Sequence, residues 1–162
     1  RDAPGKNVPL LLAYLREYWA RRGGPLTFVR TGRGPMGVPE SLRGLVLDLG
    51  DVPHQERHDA YAAADVYVHA STYESFSIVL MEAWLQGTPA LVNAACAVTR
   101  QAVEESGGGL AFGSFAEFAA ALDVLLADAE LRRELGERGR AYVLEHCRWD
   151  EVARRTIAAI LG

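Results

Sequence analysis

Excess basic charge, disulfide-forming cysteine and long apolar runs are all scarce in this chain. Lysine and arginine number 17 against 21 aspartates and glutamates, a formal net charge of −4, and the arginines are dispersed. An electrostatic nucleic-acid surface needs the opposite balance, so nucleic acid is not an expected partner. Two cysteines, Cys96 and Cys147, cannot make a disulfide framework and lack metal-ligand spacing, so free thiols in a reducing, cytoplasmic compartment are expected. No run of ~20 apolar residues offers a membrane span, and no signal-peptide pattern opens the chain. An initiating methionine is also lacking. The chain starts at Arg1 and enters the turn-like Arg1-Asp2-Ala3-Pro4-Gly5-Lys6 directly, as expected of a segment from a longer polypeptide. What is present is 162 residues, 49% hydrophobic and 23% charged, enough for one domain with a real core.

Apolar positions Leu11, Leu12, Leu15, Tyr18 and Trp19 carry a helical period through residues 8–22, closed by Gly23-Gly24. Leu26-Thr27-Phe28-Val29 and Leu45-Val46-Leu47-Asp48-Leu49 read as buried strands, ended by Gly32-Arg33-Gly34-Pro35 and Gly50-Asp51. The alternation continues with a helix from Arg57 to Ala64, a strand Val66-Tyr67-Val68-His69, a helix from Ser77 to Leu85, a strand Ala90-Leu91-Val92 and a weak strand Leu110-Ala111-Phe112. Strands alternating with helices predict an α/β fold: a Rossmann-like parallel sheet with helices on both faces. The last third differs, with three helical patterns over 115–127, 129–146 and 149–161 and no strand between them. Tyr14, Tyr18 and Trp19 are expected in the core and His69 as a packed strand residue. His54 and His58 are expected at the surface of a helix start, and His146 at a helix end favoured by the dipole.

In doubly wound sheets, ligands bind beyond the carboxyl ends of strands, where loops lead into helix N-termini. Thr72-Tyr73-Glu74-Ser75-Phe76-Ser77 sits at such a junction, and the free amides of a first helical turn attract phosphate. Glu82 follows Glu74 by eight positions, so an unbroken helix would set both on one side, ~12 Å apart along the axis. Carboxylates suit vicinal sugar diols because each accepts two hydroxyl hydrogens. On spacing alone, Glu74 as a capping acid and Glu82 as a solvated helix residue is the favoured reading, because helices are full of glutamates.

The run Glu74-Ser75-Phe76-Ser77-Ile78-Val79-Leu80-Met81-Glu82-Ala83, continuing to Gly87-Thr88-Pro89, resembles the E-x7-E signature of retaining glycosyltransferases of the two-domain GT-B class, family 4. Residues 1–7 are similar to the family's Gly-Arg-(x)4-Lys-Asn element, and Gly32-Arg33-Gly34-Pro35 to its Gly-x-Gly-Pro loop. Ala64-Asp65-Val66, Gly107-Gly108-Gly109-Leu110 and Arg148-Trp149-Asp150-Glu151-Val152-Ala153 also fall in the family's order.

The resemblance implies a single nucleotide-sugar-binding domain over 1–162: the C-terminal half of a GT-B enzyme whose N-terminal, acceptor-binding domain belongs to the same polypeptide. It implies retaining, metal-independent transfer of a hexose from a UDP-, GDP- or ADP-sugar, with no cofactor. Arg1 and Lys6 are expected to hold the donor diphosphate, and Glu74 the donor-sugar hydroxyls. Glu82 is expected at the ribose hydroxyls, and Ser75, Phe76, Ser77 and Ile78 near phosphate or sugar. Gly50 and Val52 would border the base. Membrane contact, if any, would come through the other half, at the cytoplasmic face.

The chain also departs from the family. Ser77 stands where glycine is usual, residues 93–101 lack the common Gly-Gly and Pro-Glu, and His69-Ala70 replace an apolar-Pro pair. A catalytically degenerate nucleotide-sugar-binding or assembly module is therefore the rival reading.

Overall fold

The computed structural model describes residues 4–24, 26–34 and 36–161. A 3-10 turn, Pro4–Lys6, leads into α1 (Val8–Arg22), β1 (Phe28–Thr31), β2 (Val46–Gly50), α2 (His54–Ala63), β3 (Tyr67–His69), α3 (Ile78–Leu85) and β4 (Ala90–Asn93). Then come α4 (Ala97–Ser106), β5 (Gly109–Phe112), α5 (Phe115–Ala127), α6 (Ala129–His146) and α7 (Trp149–Leu161).

Every strand pair is parallel, with helical crossovers from β3 to β4 and β4 to β5 and a long loop from β1 to β2, but the strands form two sheets: β1 beside β2, and β3-β4-β5. The expected α/β architecture of parallel strands flanked by helices is present, with its ladder divided between two sheets rather than one. Crossover helices dictate strand direction; which edges meet depends on their position, and among the described residues β1 and β3 share no ladder. Side chains join the sheets instead, since Leu26 and Phe28 pack on the same cluster as Val66 and Val68. Helices do not cover both faces throughout, because Val29 and Leu47, partners across β1 and β2, are exposed.

All four residues of β4 are buried, and its three apolar residues alternate between two cores. Leu91 faces Leu11, Leu15 and Tyr18 of α1 with Phe118, Leu122 and Leu125 of α5. Ala90 and Val92 face Leu80, Met81 and Trp84 of α3 with Val143 of α6. Tyr14 and Tyr18 belong to the first core, as expected.

Glycine brings α6 against α3. A Cβ on Gly136 would overlap the Gly87 carbonyl oxygen, and one on Gly139 would overlap the Trp84 indole. The indole is fully buried and donates its N–H to the Gly108 carbonyl at 2.8 Å. Two glycines inside a helix cost ~1 kcal/mol each in propensity, and burying a side chain as large as tryptophan offsets that. The result is a fixed α3, which carries Glu82.

Helix α4 lies where no helix is expected. Its β-branched Val98 and Thr99 weaken the helical signal, and its N-cap, Cys96, makes no side-chain cap. Thr99 is nonetheless fully buried, donating its hydroxyl to the Cys96 carbonyl at 3.4 Å. At the far end, α7 presents an exposed apolar stripe: Trp149, Ile157, Ile160 and Leu161. Among the described residues, no helix is long and apolar enough to cross a membrane.

Candidate functional site

The loop 70–77 carries the chain from the carboxyl end of β3 into α3. It is pinned from two sides: Thr72 N–H donates to the Gly5 carbonyl at 3.0 Å, and the Asn93 side-chain amide donates to the Ala70 carbonyl at 3.1 Å. The first of these bonds brings the 3-10 turn against the loop, so Lys6 Nζ donates to Glu74 Oε1 at 2.6 Å. Glu74 is largely buried, its side chain 12% exposed, whereas Lys6 is open to solvent. Burial raises the Glu74 pKa, but the hydrogen bonds from Lys6 and Ser71 and the charges of Lys6 and His69 outweigh it and hold the carboxyl below its ordinary range.

Glu74 is not on a helix. α3 begins at Ile78, and its N-cap, Ser77, sits in the left-handed region at φ 65°, ψ 66°. The helix thus starts one residue after the expected Ser77, and no continuous helix joins Glu74 to Glu82. A side chain at positive φ is strained, and the buried Ser77 hydroxyl finds no hydrogen-bond partner among the described residues. The first intrahelical bond runs from Leu80 N–H to the Ser77 carbonyl at 3.0 Å, so the Ile78 and Val79 amides stand free of the ladder at the helix mouth. Ser75, Phe76 and Ile78 are exposed there.

Beneath Glu74 lies His69, its side chain only 6% exposed, with Nε2 3.2 Å from Glu74 Oε1 and Nδ1 2.9 Å from the Tyr67 hydroxyl. His69 is a packed strand residue, as expected, and it also touches the candidate site. Burial lowers its pKa and Lys6 lowers it further; Glu74 raises it without reversing the shift, so the imidazole is neutral at neutral pH. Burial pushes the Tyr67 phenol well above its ordinary pKa, and Tyr61, Glu74 and Glu82 add to the rise.

A second cluster lies across α2 and α3. Arg57 Nη2 donates to Glu82 Oε1 at 3.0 Å and contacts His54 Nδ1 at 2.7 Å. Glu82 Oε2 and Arg57 Nε are buried without hydrogen-bond partners among the described residues, leaving acceptor and donor capacity unused. A cavity of about 550 Å³ adjoins them, lined by Arg33, Asp51, Val52, Pro53, His54 and Arg57. Val52 lines this cavity, and Gly50, at φ 66°, turns the chain toward it at the end of β2. His54 is exposed and His58 half-buried. Ligand atoms of His54, His58 and Glu82 fall within 4.8 Å of one another, a set that could hold a divalent ion. The Arg57 guanidinium already bonds two of the three, setting positive charge where the cation would sit.

The structure therefore brings Lys6 to Glu74 and sets Val52 and Arg57, the partner of Glu82, in the lining of a cavity. Arg1 lies outside the described residues. Sequence reasoning missed Arg57, which has no signal among the polar residues of a helix start. It also missed the link from His69 to Glu74, which a titratable side chain at the carboxyl end of an apolar strand could have flagged.

The glycosyl transferases group 1 family matches residues 3–142. D-inositol 3-phosphate glycosyltransferase of Kineococcus radiotolerans is 36% identical over 84% of this chain and 36% of its own length. MMP alpha-(1->4)-mannosyltransferase of Mycolicibacterium hassiacum is 31% identical over 97% of this chain and 40% of its own. The chain thus spans well under half the length of these relatives. Among solved structures, sucrose-phosphate synthase from Thermosynechococcus elongatus superposes with a TM-score of 0.75 at 25% identity, over 97% of this chain and 44% of that one. Anabaena HepE, solved with UDP and glucose, shares the fold with a TM-score of 0.77 at 23% identity, over 99% of this chain and 46% of that one. With the parallel α/β architecture and a family match over most of its length, the chain belongs to the glycosyl transferases group 1 family.

Proposed function

We propose that this chain forms the donor site of a retaining, metal-independent family 4 glycosyltransferase, which takes a hexose from a UDP-, GDP- or ADP-sugar and passes it to an acceptor held by an N-terminal domain of the same polypeptide. The observation that carries this reading is the Lys6–Glu74 pair at the open mouth of α3, together with a cavity lined by Arg57, the partner of Glu82. Breaking a sugar–phosphate bond builds negative charge on the departing diphosphate. Lys6, Arg1 and the free Ile78 and Val79 amides would stabilise that charge without a metal. Glu74 orients donor-sugar hydroxyls near the anomeric carbon, and Glu82 Oε2 accepts from the ribose. The base enters the cavity past Gly50 and Val52. Retention follows a front-face route in which the leaving phosphate assists acceptor deprotonation, with Glu74 orienting rather than attacking. Free Cys96 and Cys147 fit a reducing cytoplasmic setting, and any membrane contact is made at its inner face through the other domain.

Ser77, strained where the family has glycine, favours a second reading: a nucleotide-sugar-binding module without turnover. A panel of UDP, GDP, ADP and their sugars is titrated onto the chain by thermal shift and by NMR of residues 74–82. Donor binding appears as a raised melting temperature and perturbed resonances in that segment. No response at millimolar ligand would sink both readings. Sugar transfer by the complete polypeptide then separates enzyme from module.

A further inference from the structure

Glu74 has two candidate counter-ions, and in the ligand-free chain it uses one of them. Lys6 bonds Oε1 at 2.6 Å from the solvent side. His69 approaches the same oxygen from beneath at the longer distance of 3.2 Å, and Nε2 is a buried nitrogen that makes no well-formed hydrogen bond among the described residues. A buried imidazole with an unused ring nitrogen beside a carboxylate is a base waiting for the competing cation to leave. In the donor-site reading, on which this inference rests, Lys6 does leave, because its ammonium is needed by the diphosphate.

We propose that diphosphate binding exchanges the counter-ion of Glu74: Lys6 turns to the ligand, and His69 takes one proton from solvent and replaces it. The balance is simple. One proton moves from bulk buffer to the imidazole, no covalent bond is made elsewhere, and the imidazolium directs one N–H to Glu74 and the other to Tyr67. The Tyr67 hydroxyl can donate to Nδ1 or accept from it, so it satisfies both states of the ring. The other groups around His69 do not compete for this role. Tyr61 of α2 packs edge-on against Tyr67 at 5.6 Å, and Glu82 of α3 is engaged by Arg57. Asn93 of β4 is tied to the Ala70 carbonyl.

The exchange gives His69 a positioning role. It keeps Glu74 ionised and in place once the diphosphate has taken Lys6, so an isolated carboxylate never faces the phosphates and its sugar-binding oxygens stay aimed. A neutral residue here would leave Glu74 unpaired and half-desolvated at that moment.

Isothermal titration of UDP, GDP and ADP into the chain, in buffers of different ionisation enthalpy at pH 7, reads the proton directly. Uptake approaching one proton per diphosphate is expected, abolished in His69→Gln. In Lys6→Gln, where Glu74 has already lost its ammonium, the His69 ring is expected to carry the proton before ligand is added, so binding takes up none. Ring-nitrogen NMR of His69 in the unaltered chain reads the same event and guards against a variant that fails to fold. Binding with a buffer-independent heat and an unchanged neutral ring overturns the inference and leaves the donor-site reading intact. No binding by any of the three diphosphates removes both.

Discussion

Lys6 and Glu74 neutralise one another across 2.6 Å, although sixty-eight positions separate them along the chain. The pair is a closed latch on the helix mouth: the cation suited to a diphosphate is occupied by the carboxylate suited to a sugar. Replacing Lys6 by Ala is expected to weaken UDP, GDP or ADP binding about tenfold, the loss of one charge-assisted hydrogen bond of ~1.5 kcal/mol. Glu74→Gln frees the ammonium, so the bare diphosphate should bind at least as well while the sugar nucleotide loses the advantage of its sugar. Calorimetric titration of both ligands on each variant checks the pattern, and equal losses for both ligands in Glu74→Gln would contradict it.

Glu82 Oε2 is buried without a partner among the described residues while Arg57 holds Oε1, and in the proposed donor site it accepts from the ribose. The chain should therefore prefer a ribonucleoside diphosphate to its 2′-deoxy counterpart by about tenfold, and Glu82→Gln should erase most of that preference. Competition binding with the matched pair gives the ratio.

Ser77 stores strain at φ 65° and buries an unpartnered hydroxyl. Ser77→Gly relieves both at a small entropic cost, and a gain of about 1 kcal/mol is expected, equivalent to a melting temperature ~2–4 °C higher for a domain of this size. A thermal melt decides it, and a lower melting temperature would show that the serine is held by contacts stronger than its strain.

Gly139→Ala should act in the opposite direction. The added methyl meets the Trp84 ring, which is fixed by its bond to Gly108 and has no free space to yield. A loss of about 3 kcal/mol is expected, read from denaturant unfolding, with residues 78–85 losing hydrogen-exchange protection first.

Acid stability follows from the two shifted groups in the site. His69 has a folded pKa below its unfolded value of about 6.5, so as pH falls through 6.5 the unfolded chain gains a proton that the folded chain refuses, and stability declines. Glu74 is depressed in the folded state, so its contribution is present above its unfolded pKa and is lost as pH falls through the lower folded one. Two acid phases are expected in a plot of unfolding free energy against pH. His69→Gln should delete the upper phase and spare the lower.

Much of the fold was legible because it depends on local periodicity. The stripe of Leu11, Leu15 and Tyr18 and the four apolar strand cores mark their elements with no knowledge of neighbours. The division into two sheets was not legible, because edge pairing is decided in space, and α4 was hidden by β-branched Val98 and Thr99. At the site, Lys6, Glu74 and Glu82 were legible through resemblance, because spacing alone favoured an ordinary capping acid and a solvated helix residue for the two glutamates. Arg57 and the contact between His69 and Glu74 were not, since each depends on a partner far along the chain.

The three tryptophans occupy unlike surroundings, and two of them mark the extremes: Trp84 is fully buried and Trp149 is 87% exposed at the head of the α7 stripe. The molecule thus carries a built-in pair of optical reporters. Trp84, clamped between glycines, should emit toward the blue and change only when the α3–α6 core opens, whereas Trp149 should emit toward the red and be readily quenched by solutes. Any surface that comes to cover α7 will shift and protect the second signal while leaving the first untouched, so docking and unfolding can be told apart by fluorescence without an added label.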